Sequence, residues 1–190
     1  MCDFVAESKR MRDNSRVRIH RLAAVTLALA VAPPGHAAAA DELKSTVLIF
    51  VSVDCPVSNR YAPEIQRLYQ TFATRGIRFE LVYPNPADSR TAIDRHIKAF
   101  SLPPVAHPDP DGKLVRLTGV TVTPEAVVFD GQGTIVYRGR IDDRFVAPGR
   151  ERPAATVYDL RNALQSVSRG TPVAVSNTQA VGCFISDFQR

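Results

Sequence analysis

The chain has 190 residues, 45% of them hydrophobic, and sets 24 Lys and Arg against 19 Asp and Glu for a net charge of +5. Much of that excess base lies in the first forty residues, and nowhere after them do Lys and Arg cluster with interleaved aromatics, which argues against a nucleic-acid surface. The remainder, about 150 residues with no internal repeat, is enough for one domain with its own core.

Residues 1–40 read as a leader. Arg16, Arg18, His20 and Arg21 precede a short apolar run, Leu22 to Ala32, and then Pro33-Pro34-Gly35-His36 and four alanines. A basic segment, a short apolar segment and a small-residue cleavage region make a secretory signal, with cleavage expected after Ala38 or Ala40. The apolar run falls short of the roughly 20 residues that span a bilayer, so no stable membrane insertion is expected after cleavage. The protein is therefore expected to be secreted or periplasmic, where disulfides are permitted. Cys2 leaves with the leader, and Cys55 and Cys183 remain. A domain of this size does not need a disulfide to fold, so a bond between the two would be chemical rather than structural.

Val47 to Val51 is a short, β-branched and aromatic run, expected as the first strand. A helix is expected from Pro56 to about Arg75, with Pro56 suited to the first helical position and Gly76 to the cap. Pro63 should kink it, and Ile65, Leu68, Tyr69 and Phe72 give it an apolar face. Ile77 to Tyr83 alternates as a second strand, parallel to the first. Asp88-Ser89-Arg90 opens a second helix running to about Phe100, with Ile93, Ile97 and Phe100 on its apolar face and His96 expected on its solvated side. A Pro- and Asp-rich connection, His107 to Gly112, leads to a short helix, Lys113 to Leu117. Glu125 to Asp130 and Thr134 to Arg140 form a hairpin across Gly131-Gln132-Gly133. The last helix is expected from Ala154 to about Ser168, before Gly170. The domain thus covers residues 41–170, and a tail, 171–190, carries Cys183 without clear periodicity.

Cys55 stands where the first strand gives way to the first helix. Unpaired backbone N–H groups and the positive end of the helix dipole favour thiolate there, so Cys55 is a candidate nucleophile. Asp54 beside it opposes thiolate formation unless it turns away.

This order of elements, with a cysteine at the first strand-to-helix junction, resembles the thioredoxin superfamily. Cys55-Pro56-Val57-Ser58 stands where thioredoxins have Cys-x-x-Cys, Pro63 matches their helix-kinking proline, and Thr123-Pro124 before a hydrophobic strand looks like their cis-proline loop. Asp54 to Glu64 (DCPVSNRYAPE), Gly139 to Arg144 and Ala180-Val181-Gly182-Cys183 are similar to exported redoxins of the alkyl-hydroperoxide-reductase/thiol-specific-antioxidant type. The resemblance implies an α/β, thioredoxin-like fold with a central mixed β-sheet flanked by helices. It implies a thiol-dependent oxidoreductase needing no cofactor, in which Cys55 attacks a protein disulfide, a small disulfide or a peroxide. Pro124 would shape the substrate groove.

Ser58 replaces the resolving cysteine of a dithiol motif, so three routes of resolution stay open: Cys183 from a mobile tail, a partner's thiol, or a small external thiol acting as reductant. Ser58 would donate to the thiolate. Ser52 would assist a peroxide, as peroxiredoxins use a hydroxyl three residues before their cysteine, but their arginine is replaced by Pro124. Arg60, Arg138 and Arg140 are the candidates to stand in for it. Two other readings compete: a metal-binding or metal-delivery module using Cys55, Cys183 and His107, and a noncatalytic domain that keeps the fold. No metal spacing supports the first, and Asp109 to Lys113 reads as a turn. Arg140, Asp142, Asp143 and Arg144 read as a solvated ion-pair cluster or a charge network on the substrate side.

Overall fold

The computed structural model describes residues 45–185, so the expected leader lies outside the described residues. Strand β1 (Ser45–Phe50) is the centre of a five-stranded mixed sheet. β2 (Ile77–Tyr83) runs parallel to it, with Ser45 opposite Ile77 and Phe50 opposite Val82, and β3 (Ala106–Pro108) runs parallel to β2. On the other side β5 (Glu125–Asp130) is antiparallel to β1 and β6 (Ile135–Gly139) antiparallel to β5. The sheet order is β3-β2-β1-β5-β6. The expected fold is therefore the observed one: a thioredoxin-like α/β fold around a central mixed sheet. β3 was not anticipated, because a three-residue strand ending in proline carries no alternation to read.

Helix α1 (Pro56–Phe72) runs on through Pro63 and ends in a tight turn, Ala73–Arg75, closed by Gly76 at φ +79°, a conformation that costs glycine least. Helix α2 (Arg90–Phe100) is capped by Ser89, whose hydroxyl accepts from the Ala92 N–H. Helix α3 (Lys113–Thr118) is capped by Asp109, which accepts from the N–H groups of Lys113, Leu114 and Val115 and so makes the expected turn of this segment. Helix α4 covers Asp159–Ser168.

The alternation of β1 sorts the core into two clusters. Val47 and Ile49 face Ile65 and Leu68 of α1 and Leu160 and Leu164 of α4, while Leu48 and Phe50 face Val120, Val127 and Ile185 with Leu114 and Val115 of α3 beside them. Burying each such side chain contributes about 2 kcal/mol.

Two expectations are corrected, and one further element emerges. The last helix begins at Asp159, not Ala154, because the Asp143 carboxylate takes the N–H groups of Thr156 and Val157 and the Thr156 hydroxyl, holding that stretch as a loop. Just before it, β7 (Phe145–Ala147) and β8 (Arg150–Glu151) make an unforeseen small hairpin. The tail is not a free arm. Its Asn177 bridges to Arg138 of β6, and its β9 (Cys183–Phe184) pairs antiparallel with β4 (Val122–Thr123). Ile185 beyond it is only 2% exposed within the second cluster.

Candidate active site

Cys55 is the N-cap of α1, in extended backbone at φ −79° and ψ 110°. The turn that presents it is tied from two sides. Its own N–H donates to the Ser52 carbonyl, and its carbonyl receives the Asn59 N–H. The Asp88 carboxylate accepts from the Ser52 hydroxyl at 3.1 Å and the Val53 N–H at 3.2 Å. Burial raises the Asp88 pKa, and these two donors offset part of that. Ser52 is thus committed to Asp88, and what it shares with Cys55 is the backbone bond of the turn. Asp54 is exposed.

Around the sulfur, groups of three residues converge. Cys183 Sγ lies 2.7 Å away, with both cysteines unbonded. The Thr123 carbonyl lies 3.1 Å away and accepts from the Cys55 thiol, and the Ser58 N–H donates to the sulfur at 3.5 Å. The hydroxyls of Ser58 and Thr123 are buried without another partner and lie within reach of the same sulfur. Thr123 and Pro124 are joined by a cis peptide bond, as the resemblance implied, and Thr123 is opposite Cys183 in the β4–β9 ladder. Of the residues singled out in the sequence, the fold therefore brings Cys55, Ser58, Pro124 and Cys183 together and leaves the Ser52 hydroxyl outside. Thr123 was named only as half of the proline loop. Its position before that proline was the signal that it borders the thiol.

The two thiols titrate apart. Burial pushes Cys55 up, but hydrogen bonds from Cys183, Ser58 and Thr123 outweigh it and leave the thiol below its ordinary value. Burial, then the hydrogen bond to Cys55 and its charge, push Cys183 up to about 12. Of the two, Cys55 is the one that ionises first, and the Cys183 S–H then donates to it.

The three arginines considered for peroxide binding are engaged elsewhere. Arg60 pairs with Glu151 at 2.6 Å, Arg140 with Asp159 at 2.7 Å, and Arg138 donates to the carbonyls of Thr118 and Gly119. His107 lies on β3 and contacts Glu80 at 2.8 Å, not the cysteines. Among the described residues no group of three or more His, Cys, Asp or Glu could hold a metal ion, so the His107-based metal site is not assembled.

Two further expectations fail. His96 is 5% exposed, not solvated, because it follows Ile93 by three residues and shares its face. Its Nε2 lies 2.7 Å from Asn59 Oδ1, an atom that only accepts, so Nε2 carries the hydrogen and Nδ1 receives the Tyr83 hydroxyl at 2.8 Å. Asn59 in turn donates to the Val53 carbonyl, a second, half-buried brace under the thiol turn. Asp142 and Asp143 are each 5% exposed and bind Tyr61, Thr156 and Val157, forming an interior latch in place of a solvated cluster.

A family model described as thioredoxin-like matches residues 42–135. Among solved structures, an uncharacterized conserved protein from Geobacillus kaustophilus is 26% identical with a TM-score of 0.67, covering 75% of this chain and 77% of its own. A hypothetical protein from Sinorhizobium meliloti is 22% identical at a TM-score of 0.68, covering 76% and 80%. A thioredoxin candidate from Neisseria meningitidis is 19% identical at 0.52, covering 68% and 77%. No curated protein matches the chain. No helix of the described residues is long and apolar enough to cross a membrane. The family match, the sheet order and the thiol at the first strand-to-helix junction agree: the chain carries a thioredoxin-like domain.

Proposed function

We propose that this domain is an exported thiol–disulfide oxidoreductase in which Cys55 attacks and Cys183 resolves. The observation that carries the reading is the 2.7 Å approach of the two sulfurs at the start of α1. The Cys55 thiolate attacks one sulfur of a substrate disulfide, forming a mixed disulfide and releasing the other sulfur as a thiolate that takes up a proton. Cys183 then loses its proton to solvent and attacks the Cys55 sulfur. The bond from Cys55 to the substrate breaks, the second substrate sulfur leaves as a thiolate that takes up a proton, and a Cys55–Cys183 disulfide remains. The substrate has gained two electrons and the cysteine pair has lost two. Two equivalents of an external thiol return the pair to the reduced state and leave as their own disulfide.

Disulfide exchange is favoured over peroxide reduction because Arg60, Arg138 and Arg140 are bound to other partners, so none of these three polarises a peroxide at Cys55. Export is supported by the leader-like residues 1–40.

The test is mass spectrometry of the protein treated with oxidised glutathione or with hydrogen peroxide, beside Cys55→Ser and Cys183→Ser. The reading expects a Cys55–Cys183 bond in the wild type, glutathione trapped on Cys55 in Cys183→Ser, and slow reaction with peroxide. Fast sulfenic acid formation on Cys55 would move the assignment to a peroxidase, and inert thiols would end it.

A further inference from the structure

A nucleophile has to be reached, and Cys55 is only 2% exposed. The tail is part of the cover. Cys183 fills the space 2.7 Å from the sulfur, and the residue before it, Gly182, lies flat on the Thr123–Pro124 backbone. A Cβ on Gly182 would come within 2.6 Å of the Thr123 carbonyl carbon and closer still to its oxygen, so only a glycine lets the tail descend this far. Disulfide exchange needs the three sulfurs nearly in line, and the tail stands in that approach.

The two ends of this segment are held differently. At Thr178 the attachment is many-stranded. The Arg138 N–H donates to the Ser176 carbonyl, the Thr178 N–H donates to the Arg138 carbonyl, and the Thr178 hydroxyl meets the Tyr137 hydroxyl and the Arg140 N–H. Gly139 is pressed against Thr178, leaving no room for a side chain between them. At the far end the hold is a two-residue ladder, the Ile185 N–H on the Thr121 carbonyl, and one apolar side chain. Between the ends the contacts are few: Val181 packs against the first cluster and Gly182 rests on the proline loop. An open groove of about 350 Å³ runs beside it, lined in part by Glu125, Arg138, Gln179 and Gly182, and Phe184 is 56% exposed.

We infer that residues 179–185 are a strap that pivots at Thr178, caps Cys55 while both thiols are reduced, and lifts from β4 to admit a disulfide. The inference rests on the thiol-exchange reading above and adds its regulation: the same strand that shields the nucleophile carries the resolving sulfur back to it. Access to Cys55 is then set by the fraction of molecules with the strap raised, and any change that weakens its seat raises reactivity in proportion.

The test is the rate at which iodoacetamide modifies Cys55 in the full reduced chain, followed residue by residue by mass spectrometry. The pH is raised until the rate levels off, so that the plateau reports access and not ionisation. Gly182→Ala lifts the strap by placing a methyl group on the Thr123 carbonyl without changing a side chain of either apolar cluster. Ile185→Asp unseats the far end. The expectation is a plateau about tenfold or more above wild type in both variants, with faster amide exchange over 179–185. Thermal unfolding of Gly182→Ala checks that the domain persists, and that variant decides the matter if Ile185→Asp does not fold. Wild-type plateaus in a folded Gly182→Ala overturn the strap. If plateaus rise but oxidised glutathione forms no mixed disulfide with Cys55 in any variant, the strap stands as a cap and the thiol-exchange function falls.

Discussion

Two polar regions lie close to the sheet's ends and are built on opposite rules. In the latch formed by Asp142 and Asp143, the carboxylates are met by donors: Tyr61 and the Arg144 N–H on Asp142, and Thr156, Val157 and the Arg152 guanidinium on Asp143. At the thiol site, the hydroxyls of Ser58 and Thr123 are buried with no partner other than a sulfur. Saturated polar groups stabilise a fold, whereas buried groups left open are costly and are kept where chemistry uses them. The difference separates the latch, which shapes the chain, from the rim, which is available to react.

The contrast is broken most sharply at the nucleophile. Cys55→Ser is expected to abolish mixed-disulfide formation with oxidised glutathione, a loss of about 1,000-fold or more, with the unfolding temperature little changed. A comparable fall in stability would show that the thiol is there for packing.

Next in size, Cys183→Ser should cut turnover of a disulfide substrate about 100-fold or more while still allowing the first attack, because the mixed disulfide is no longer resolved from within. Trapping experiments with stopped-flow and mass spectrometry separate the two steps. Undiminished turnover would assign resolution to an outside thiol.

On the other side of the comparison, Asp143→Ala should destabilise the domain by about 2 kcal/mol, since it removes the carboxylate that accepts from the N–H groups of Thr156 and Val157 and from the Thr156 hydroxyl. Denaturant unfolding measures this, and the alkylation of Cys55 should stay as in wild type. The pH dependence has a definite sign. Hydrogen bonds from Thr156 and Val157 hold the Asp143 carboxyl down at about 2 in the folded protein. Its contribution is therefore complete above the unfolded carboxyl range and is lost as pH falls towards 2.

The smallest effect concerns ionisation at the rim. The pH at which Cys55 alkylation reaches half its plateau should lie below that of an ordinary thiol, and it should move up in Cys183→Ala and Thr123→Val, which each remove a donor. An unchanged profile in both would leave Ser58 and the start of α1 as the source of thiolate stability.

Much of the fold was legible because its elements repeat. β1, α1, β2, α2 and the β5–β6 hairpin show themselves by period, and α1 shows its ends as well through Pro56 and Gly76. The thiol and the proline loop were legible because each sits at a junction that few residue types suit. What escaped reading depends on partners far along the chain. Asp143 is one charge in a charged run until residues thirteen positions away bring their N–H groups to it. The tail lacks periodicity because it is held by backbone bonds to Arg138, by β4 and by a single buried Ile185, none of which leaves a pattern. His96 was misread for a different reason: a polar side chain on an apolar face looks solvated until Tyr83 and Asn59 are seen to satisfy it.

The bridge between Asn177 and Arg138 lies along the outer margin of β6, the last strand of the sheet. A bare margin is a template on which another chain can build. At the opposite margin β3 is only three residues long and ends in Pro108, which has no N–H to offer. Because the pivot is at Thr178, raising residues 179–185 leaves the bridge in place, so the protein can bare its reactive sulfur without also offering itself as a seed for aggregation.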